Sequence, residues 1–204
     1  IALMTTVRAV YSGSNERLTR AVLNLIYKED SPGVYPSFGE VLRRAKNVNG
    51  IDTLDNNARK FTLLGDPSQK LAIPSFDVVV AEVNGIPVGS GIPDTLSALE
   101  NATVSGHIVG LQGEVLSDFN GQLFLTLFDK VQIRKTLAND AESSVRPFTT
   151  QIRQIFKGTA TVNKGAWTIE FVLPKDIDFS FGPGKMSFYA HDGITDAAGY
   201  YTDF

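Results

Sequence analysis

Side chains able to do chemistry are few and scattered in these 204 residues: there are two histidines, His107 and His191, 84 positions apart, and no cysteine. Without a thiol, the residues present supply no cysteine nucleophile, no disulfide and no thiolate metal site. Neither histidine lies in a His-Glu-x-x-His motif or at metal-ligand spacing, so imidazole metal chemistry has no footing. His191 has Asp192 and Asp196 nearby, a set that could form a general base. It also ends an expected strand, and a hydrogen-bonded surface imidazole is the simpler reading. His107, next to Ile108 on another expected strand, should face outward. The oxygen-rich clusters Asp118-x-Asn120-Gly121 and Asp192 to Asp196 offer hard ligands of the kind calcium takes, yet neither fits the EF-hand loop. Turn-forming Asp and Asn account for both, and no metal or cofactor is assigned. In Gly65-Asp66-Pro67-Ser68, glycine allows an unusual φ, aspartate bonds local N–H groups and proline fixes the next φ. Gly65, Asp66 and Pro67 therefore read as a structural turn, not a phosphate or metal site.

Charge and hydropathy narrow the classes further. Asp and Glu number 22 against 19 Lys and Arg, for a net charge of −3, and 43% of the residues are apolar. That balance lacks the basic stripe that phosphate neutralisation requires, so no nucleic-acid partner is expected. The apolar fraction suits a globular chain with a buried core. No apolar run exceeds four residues, as at Val78-Val79-Val80-Ala81, so a membrane-spanning segment is not expected either.

Two kinds of periodicity must position these residues, and they change over near Pro74. Ile1 to Thr6 reads as a short buried strand, ended by the turn cluster Ser12-Gly13-Ser14-Asn15. A helix follows, capped by Ser14 or Asn15, with Glu16 in its first turn and Leu18, Val22, Leu25 and Ile26 on one face. After Asp30-Ser31-Pro32-Gly33, a second helix starts at Ser37, with Glu40 placed to complete a Ser-x-x-Glu capping box. Phe38, Val41, Leu42 and Ala45 form its apolar face.

From Ser75 the period becomes two, the mark of half-buried strands. Phe76 to Val83 leads into Asn84-Gly85, a tight-hairpin dipeptide. Further strands are expected at Ala102 to Val109, Gly121 to Phe128, Val131 to Leu137, Gly158 to Val162, Ala166 to Leu173 and Lys185 to Ala190. About seven strands in this span suit a two-sheet sandwich. The aromatic set Phe119, Phe124, Phe128, Trp167, Phe171, Phe179, Phe181, Phe188 and Tyr189 could include a sugar-stacking platform, but spacing by two assigns most of it to the core. Leu71 to Phe76 is short and apolar, so a packed contact between the halves is expected in place of a free tether.

An ordered series of motifs carries a resemblance. The segments are Ala2-Leu3-Met4-Thr5-Thr6-Val7-Arg8-Ala9-Val10-Tyr11, Pro36-Ser37-Phe38-Gly39-Glu40-Val41 and Lys60-Phe61-Thr62-Leu63-Leu64-Gly65-Asp66-Pro67-Ser68. Together they resemble the C-terminal end of the catalytic domain of gingipain-type cysteine peptidases, and most nearly the gingipain-like surface sortases of the type IX secretion system. In the second half, Asp118-Phe119-Asn120-Gly121, Leu127-Phe128-Asp129-Lys130, Val172-Leu173-Pro174-Lys175-Asp176-Ile177 and Asp196-Ala197-Ala198-Gly199-Tyr200 follow in the same order as in those sortases.

The resemblance implies an α+β two-part chain: residues 1–74 as the C-terminal part of a caspase-like α/β domain, and 75–204 as an all-β immunoglobulin/fibronectin-like sandwich. It implies that the parent protein removes the C-terminal secretion signal of exported cargo at the extracellular face of the bacterial outer membrane. The family's thiolate and histidine base precede Ile1 in the family's order, so this fragment is expected to be non-catalytic. Implied partners are the remainder of the peptidase domain and the C-terminal signal domains of cargo. Tyr11 falls where gingipains place an aromatic wall of the pocket for the side chain preceding the scissile bond; the plainer alternative is a tyrosine closing a helix–strand junction. A rival from another class is a non-catalytic β-sandwich that recognises glycan or a partner protein.

Overall fold

The computed structural model describes residues 2–48, 57–91, 95–178 and 182–204, and the chain divides into two compact units, 1–73 and 74–204. Ile1, which opens the first expected strand, and Phe179 and Phe181 of the aromatic set lie outside the described residues.

The first unit contains β1 (Leu3–Thr6), α1 (Ser12–Ile26), α2 (Phe38–Lys46), a 3-10 turn (Ala58–Lys60) and β2 (Phe61–Leu64). β1 and β2 pair antiparallel, from Leu3 opposite Leu64 to Thr6 opposite Phe61. Three-to-four spacing on α1 buries Leu18 and Ala21 against Ala45 of α2, with Val22, Leu25 and Phe61 packed around them. α1 begins earlier than the sequence suggests. Tyr11 holds the N-cap position in extended backbone, and its carbonyl accepts the Asn15 N–H at 2.9 Å, so neither Ser14 nor Asn15 caps. In α2 only half of the expected capping box forms. Ser37 Oγ accepts the Glu40 N–H at 3.4 Å, while the Glu40 carboxylate turns to Arg43 and Arg44.

The second unit contains β3 (Phe76–Val83), β4 (Ile86–Pro87), β5 (Asn101–Val109), β6 (Gly121–Phe128), β7 (Gln132–Lys135), β8 (Pro147–Thr150), β9 (Gln154–Asn163), β10 (Ala166–Val172), β11 (Lys185–His191) and β12 (Asp196–Tyr201). Strand order runs β12-β11-β6-β9-β10-β5-β3, and β12 also pairs with β3, which joins the two ends of the sheet. Asn84-Gly85 and Lys164-Gly165 both adopt positive φ at the centres of two-residue hairpins, as their twist requires. Alternate side chains point inward: Leu123, Leu125 and Leu127 from β6, Trp167, Ile169 and Phe171 from β10, and Met186, Phe188 and Ala190 from β11.

These findings correct the fold expectation in both halves. Among the described residues the first unit has no parallel strand pair, so it shows an antiparallel pair with two helices and not a caspase-like α/β sheet. The second unit is a closed seven-strand β-barrel, not an immunoglobulin/fibronectin-like sandwich. Inward–outward alternation is common to sandwich and barrel, and the difference lies in whether edge strands meet. The strand that makes them meet is β12, whose Ala197, Ala198 and Gly199 have little strand propensity and were read only as a motif. Small residues suit the seam. A Cβ on Gly199 would lie 2.0 Å from the Val78 carbonyl oxygen, so only glycine permits this approach of β12 to β3. Bulge-type irregularities in the β3–β5 and β6–β9 pairings supply local curvature.

Candidate functional site

Three places hold the residues singled out by sequence, or those that sequence reasoning overlooked. The first is the loop leaving β1. Val7 N–H donates to the Lys60 carbonyl at 2.9 Å, Lys60 Nζ donates to the Ala9 carbonyl at 2.9 Å, and Tyr11 N–H donates to Asn57 Oδ1 at 3.1 Å. Asn57 is itself buried. The segment entering α1 is thus pinned by the turn before β2, while Tyr11 as a whole is 71% exposed. Lys60 Nζ stands 5.4 Å from the ring centroid, close enough for a cation–π contact. A held aromatic face with a hydroxyl at its rim can wall a pocket or orient a ligand. It offers no nucleophile and no base.

The second place is the turn Gly65-Asp66-Pro67-Ser68. Gly65 takes φ +130°, and Asp66 Oδ1 accepts both the Ser68 N–H at 2.8 Å and the Ser68 hydroxyl at 2.7 Å. Those bonds favour the ionised carboxylate and hold Asp66 below the usual carboxylate range, the Ser68 hydroxyl having the larger effect. The turn abuts the start of α2. The Pro67 carbonyl accepts the Gly39 N–H at 2.9 Å and the Gln69 carbonyl accepts the Phe38 N–H at 2.8 Å. With Ser37 Oγ on the Glu40 N–H, three donors of the first helical turn are satisfied. Gly39 is needed because a Cβ there would meet the Pro67 Cβ at 2.7 Å. The two short motifs are therefore one piece of local structure.

The third place was not singled out as a site. Asp129 follows β6 and is 3% exposed. Its Oδ1 accepts the Lys130 N–H at 2.9 Å, its Oδ2 accepts the Asp178 N–H at 3.0 Å, and Arg153 Nη1 lies 3.4 Å from Oδ2. The Asp129 N–H donates to the Arg153 carbonyl, and Gln151 Nε2 donates to the Asp129 carbonyl. Lys130 Nζ reaches the Asp178 carbonyl, and Arg153 Nη2 reaches the Asp176 carbonyl. One buried acid thus ties together the end of β6, the entry to β9 and the connection after β10. A cavity of about 250 Å³ opens beside it, walled by Leu127, Ile155, Leu173, Ile177 and Phe204. With hydrogen bonds and two cations already occupying the carboxylate, its place in the fold is to position loops. The quoted runs Leu127-Phe128-Asp129-Lys130 and Leu173-Pro174-Lys175-Asp176-Ile177 converge here. A lone Asp after a strand gave no sign of burial, and only the partnership between the two runs could have.

The remaining candidates are dispersed. His107 is half-buried on β5, opposite Val79 of β3. His191 stacks on Phe124 at 5.7 Å between ring centroids. Asp192 Oδ1 accepts the Thr195 and Ile194 N–H groups at 2.7 and 2.8 Å, and these bonds, Thr195's first, lower its pKa. Asp196 Oδ1 accepts the Ser75 N–H. Asn120 Oδ1 accepts the Lys164 N–H at 2.9 Å and so clamps the β9–β10 hairpin. Among the described residues no group of three His, Asp or Glu side chains could hold a metal ion. Phe119, Trp167, Phe171 and Phe188 are core, whereas Phe124 and Tyr189 lie on the outer face of the barrel, contrary to the core reading.

Comparison with known proteins bears on both units. Residues 1–72 match the family model described as peptidase family C25. The gingipain resemblance read from the motifs is thereby borne out for this stretch. A search of curated proteins finds no match. Among solved structures, dimeric latent PorU from Porphyromonas gingivalis is similar along 100% of the chain, with 25% identity and a TM-score of 0.56. The chain spans 19% of the length of that structure. The sporulation control protein Spo0M of Bacillus subtilis matches 66% of the chain and 49% of its own length, at 15% identity and a TM-score of 0.32, too distant to bear on fold or function.

Proposed function

We propose that this chain, with its family C25 stretch, is a non-catalytic portion of a type IX secretion peptidase that processes the C-terminal signals of exported cargo at the cell surface. The reading rests on one observation: family C25 sequence over residues 1–72 runs on into a barrel, and the latent PorU structure is similar along that whole course. Cysteine-peptidase chemistry needs a thiolate to attack the peptide carbonyl and a base to manage its proton. The chain has no cysteine, so in this reading both groups come from the rest of the parent protein. The acyl-enzyme they would form can be resolved by water, giving a peptidase, or by an amine, giving a sortase.

The partners proposed are the remainder of the peptidase domain and the C-terminal signal domains of cargo. Supporting the first, β1 and β2 pair only with each other among the described residues, and Leu3, Val7 and Leu64 are each more than half exposed. An open sheet of this kind is completed by further strands. Tyr11 is the residue proposed to touch substrate. In the complete protein Tyr11→Ala should lower the rate of signal removal about tenfold, or ~1.4 kcal/mol of transition-state binding, with the folded fraction unchanged. Tyr11→Phe should retain most of the rate if the ring face is what matters. Unchanged processing by Tyr11→Ala would take this residue out of the site.

A further inference from the structure

Between Asp129 and Arg153 the chain extends as a two-stranded arm in which, among the described residues, β7 and β8 pair only with each other, from Gln132 opposite Thr150 to Lys135 opposite Pro147. Ile133 is 76% exposed and Leu137 81%, and Val145 and Phe148 are also exposed. A lone hairpin with apolar side chains in water is marginal at best, so this arm has the character of a surface awaiting a partner.

Its two edges differ. The Thr136 N–H donates to the Arg146 carbonyl at 2.9 Å, and in an antiparallel ladder bonded pairs alternate with non-bonded ones. Arg134 with Phe148 and Gln132 with Thr150 are then the bonded pairs of β7 and β8. The N–H and C=O groups of Ile133 and Lys135 point away from β8, and no described group bonds them. On the far edge, Pro147 occupies a position facing outward and has no N–H to offer. One edge is blunted and the other is open.

Charge selects the occupant. Arg134, Lys135 and Arg146 lie on or beside the paired strands without an ion pair among the described residues, while the acidic Asp140 and Glu142 fall in the connecting loop. The geometry points to the outer edge of β7 as a docking site for an extended acidic polypeptide segment, added as a third strand. Main-chain bonds would form to Ile133 and Lys135, adjacent carboxylates would meet Arg134 and Lys135 on the two faces, and an apolar side chain would lie beside Ile133. A second copy docked through the same β7 edge would bring Arg134 and Lys135 against like charges.

The test uses the full chain and a labelled short peptide with two adjacent glutamates flanked by valine and threonine, followed by fluorescence anisotropy. Binding should weaken about tenfold in Arg134→Glu/Lys135→Glu and fall as salt rises. It should be lost when alternate peptide nitrogens are methylated. Ile133→Pro, which deletes an outward N–H and spares the bonded pairs, should also abolish it. The methylated peptide keeps this decisive even if a variant perturbs the arm, because the protein itself is then unchanged. Equal binding of the methylated peptide, no binding of either peptide, capture by phosphatidylglycerol vesicles in place of peptide, or self-association that the peptide fails to reverse would each overturn the proposal.

Discussion

The two units solve the problem of burying apolar surface in opposite ways. In 74–204 the sheet closes on itself, so every barrel strand has a neighbour on each side and the inward residues form one continuous core from Val78 to Ala197. In 1–73, among the described residues, the core cluster is Leu18, Ala21 and Ala45 with three further side chains around it, Val41 and Leu42 of α2 are buried besides, and the β1–β2 pair has no third strand. Burying a leucine-sized side chain contributes about 1.5–3 kcal/mol, so the barrel gains from packing what the first unit must obtain by other means. Those means are visible: a turn that caps α2, a ladder of guanidinium–carboxylate bonds along it, and a buried asparagine that fixes the loop beside Tyr11. The barrel is thus held by a continuous packed core, and the first unit by a small core supplemented with caps and charge-assisted bonds.

The largest expected effects lie in the barrel, because that is where packing dominates. Leu123 is fully buried in β6, and Leu123→Ala should destabilise the second unit by about 2–5 kcal/mol through lost transfer energy and the cavity left behind. Chemical denaturation followed by Trp167 fluorescence would measure it. A change under about 1 kcal/mol would show that the barrel core is loose, and would erase the contrast between the units. Next comes Asp129. Removing one partner of a fully buried ion pair costs ~3–5 kcal/mol, but Arg153 and Lys130 keep some solvent contact, so Asp129→Ala should cost about 2–3 kcal/mol. Hydrogen exchange should quicken at the entry to β9 and around Asp178 before it does in β10 and β5. Uniform loss of protection would mean that Asp129 supports the barrel as a whole and not its loops.

How much of this was legible depended on whether a signal is local. The hairpin at Asn84-Gly85, the Ser37 cap and the alternation in β6, β10 and β11 each follow from a few adjacent residues, and the sequence-based expectation matches the structure there. Barrel closure is a relation between Phe76 and Ala197, 121 positions apart, made through the Ala197-Ala198-Gly199 stretch of β12, which has little strand propensity although Tyr200 and Tyr201 follow it. The Asp129 cluster likewise joins residues 129, 153 and 178, and no short window contains it. Tyr11 was singled out only through family resemblance; its own residue type would have placed it in a junction. The arm lay half in view, since Val131 to Leu137 was read as a strand, but β8, with Pro147 at its start, does not look like one.

The smallest expected effect is also the most sharply placed in pH, and it belongs to the first unit. Glu40 accepts from Arg43 Nη2 and from Arg44 Nε, each at 2.6 Å, and Arg44 bonds Asp30 as well. The Arg43 bond first, then that of Arg44, lowers Glu40 to about 2, and the Arg44 guanidinium holds Asp30 below its ordinary value. Both folded values are depressed, so the unfolded chain binds protons first as pH falls. The contribution is complete above the ordinary glutamate value near ~4.3, shrinks below it and is gone once pH passes beneath about 2. Glu40, Arg44 and Asp30 each keep about a third of their side-chain surface in water and Arg43 more, so screening keeps the effect modest and added salt should reduce it. Amide exchange in α2 should therefore accelerate between about pH 4 and pH 2, while the barrel strands β5, β6 and β10, held by packing, should show little change over the same interval. Glu40→Gln should remove most of the step without altering the Ser37 cap. If β6 and β10 lost protection in parallel with α2, the contrast between a charge-assisted unit and a packed one would fail at the point where it is easiest to measure.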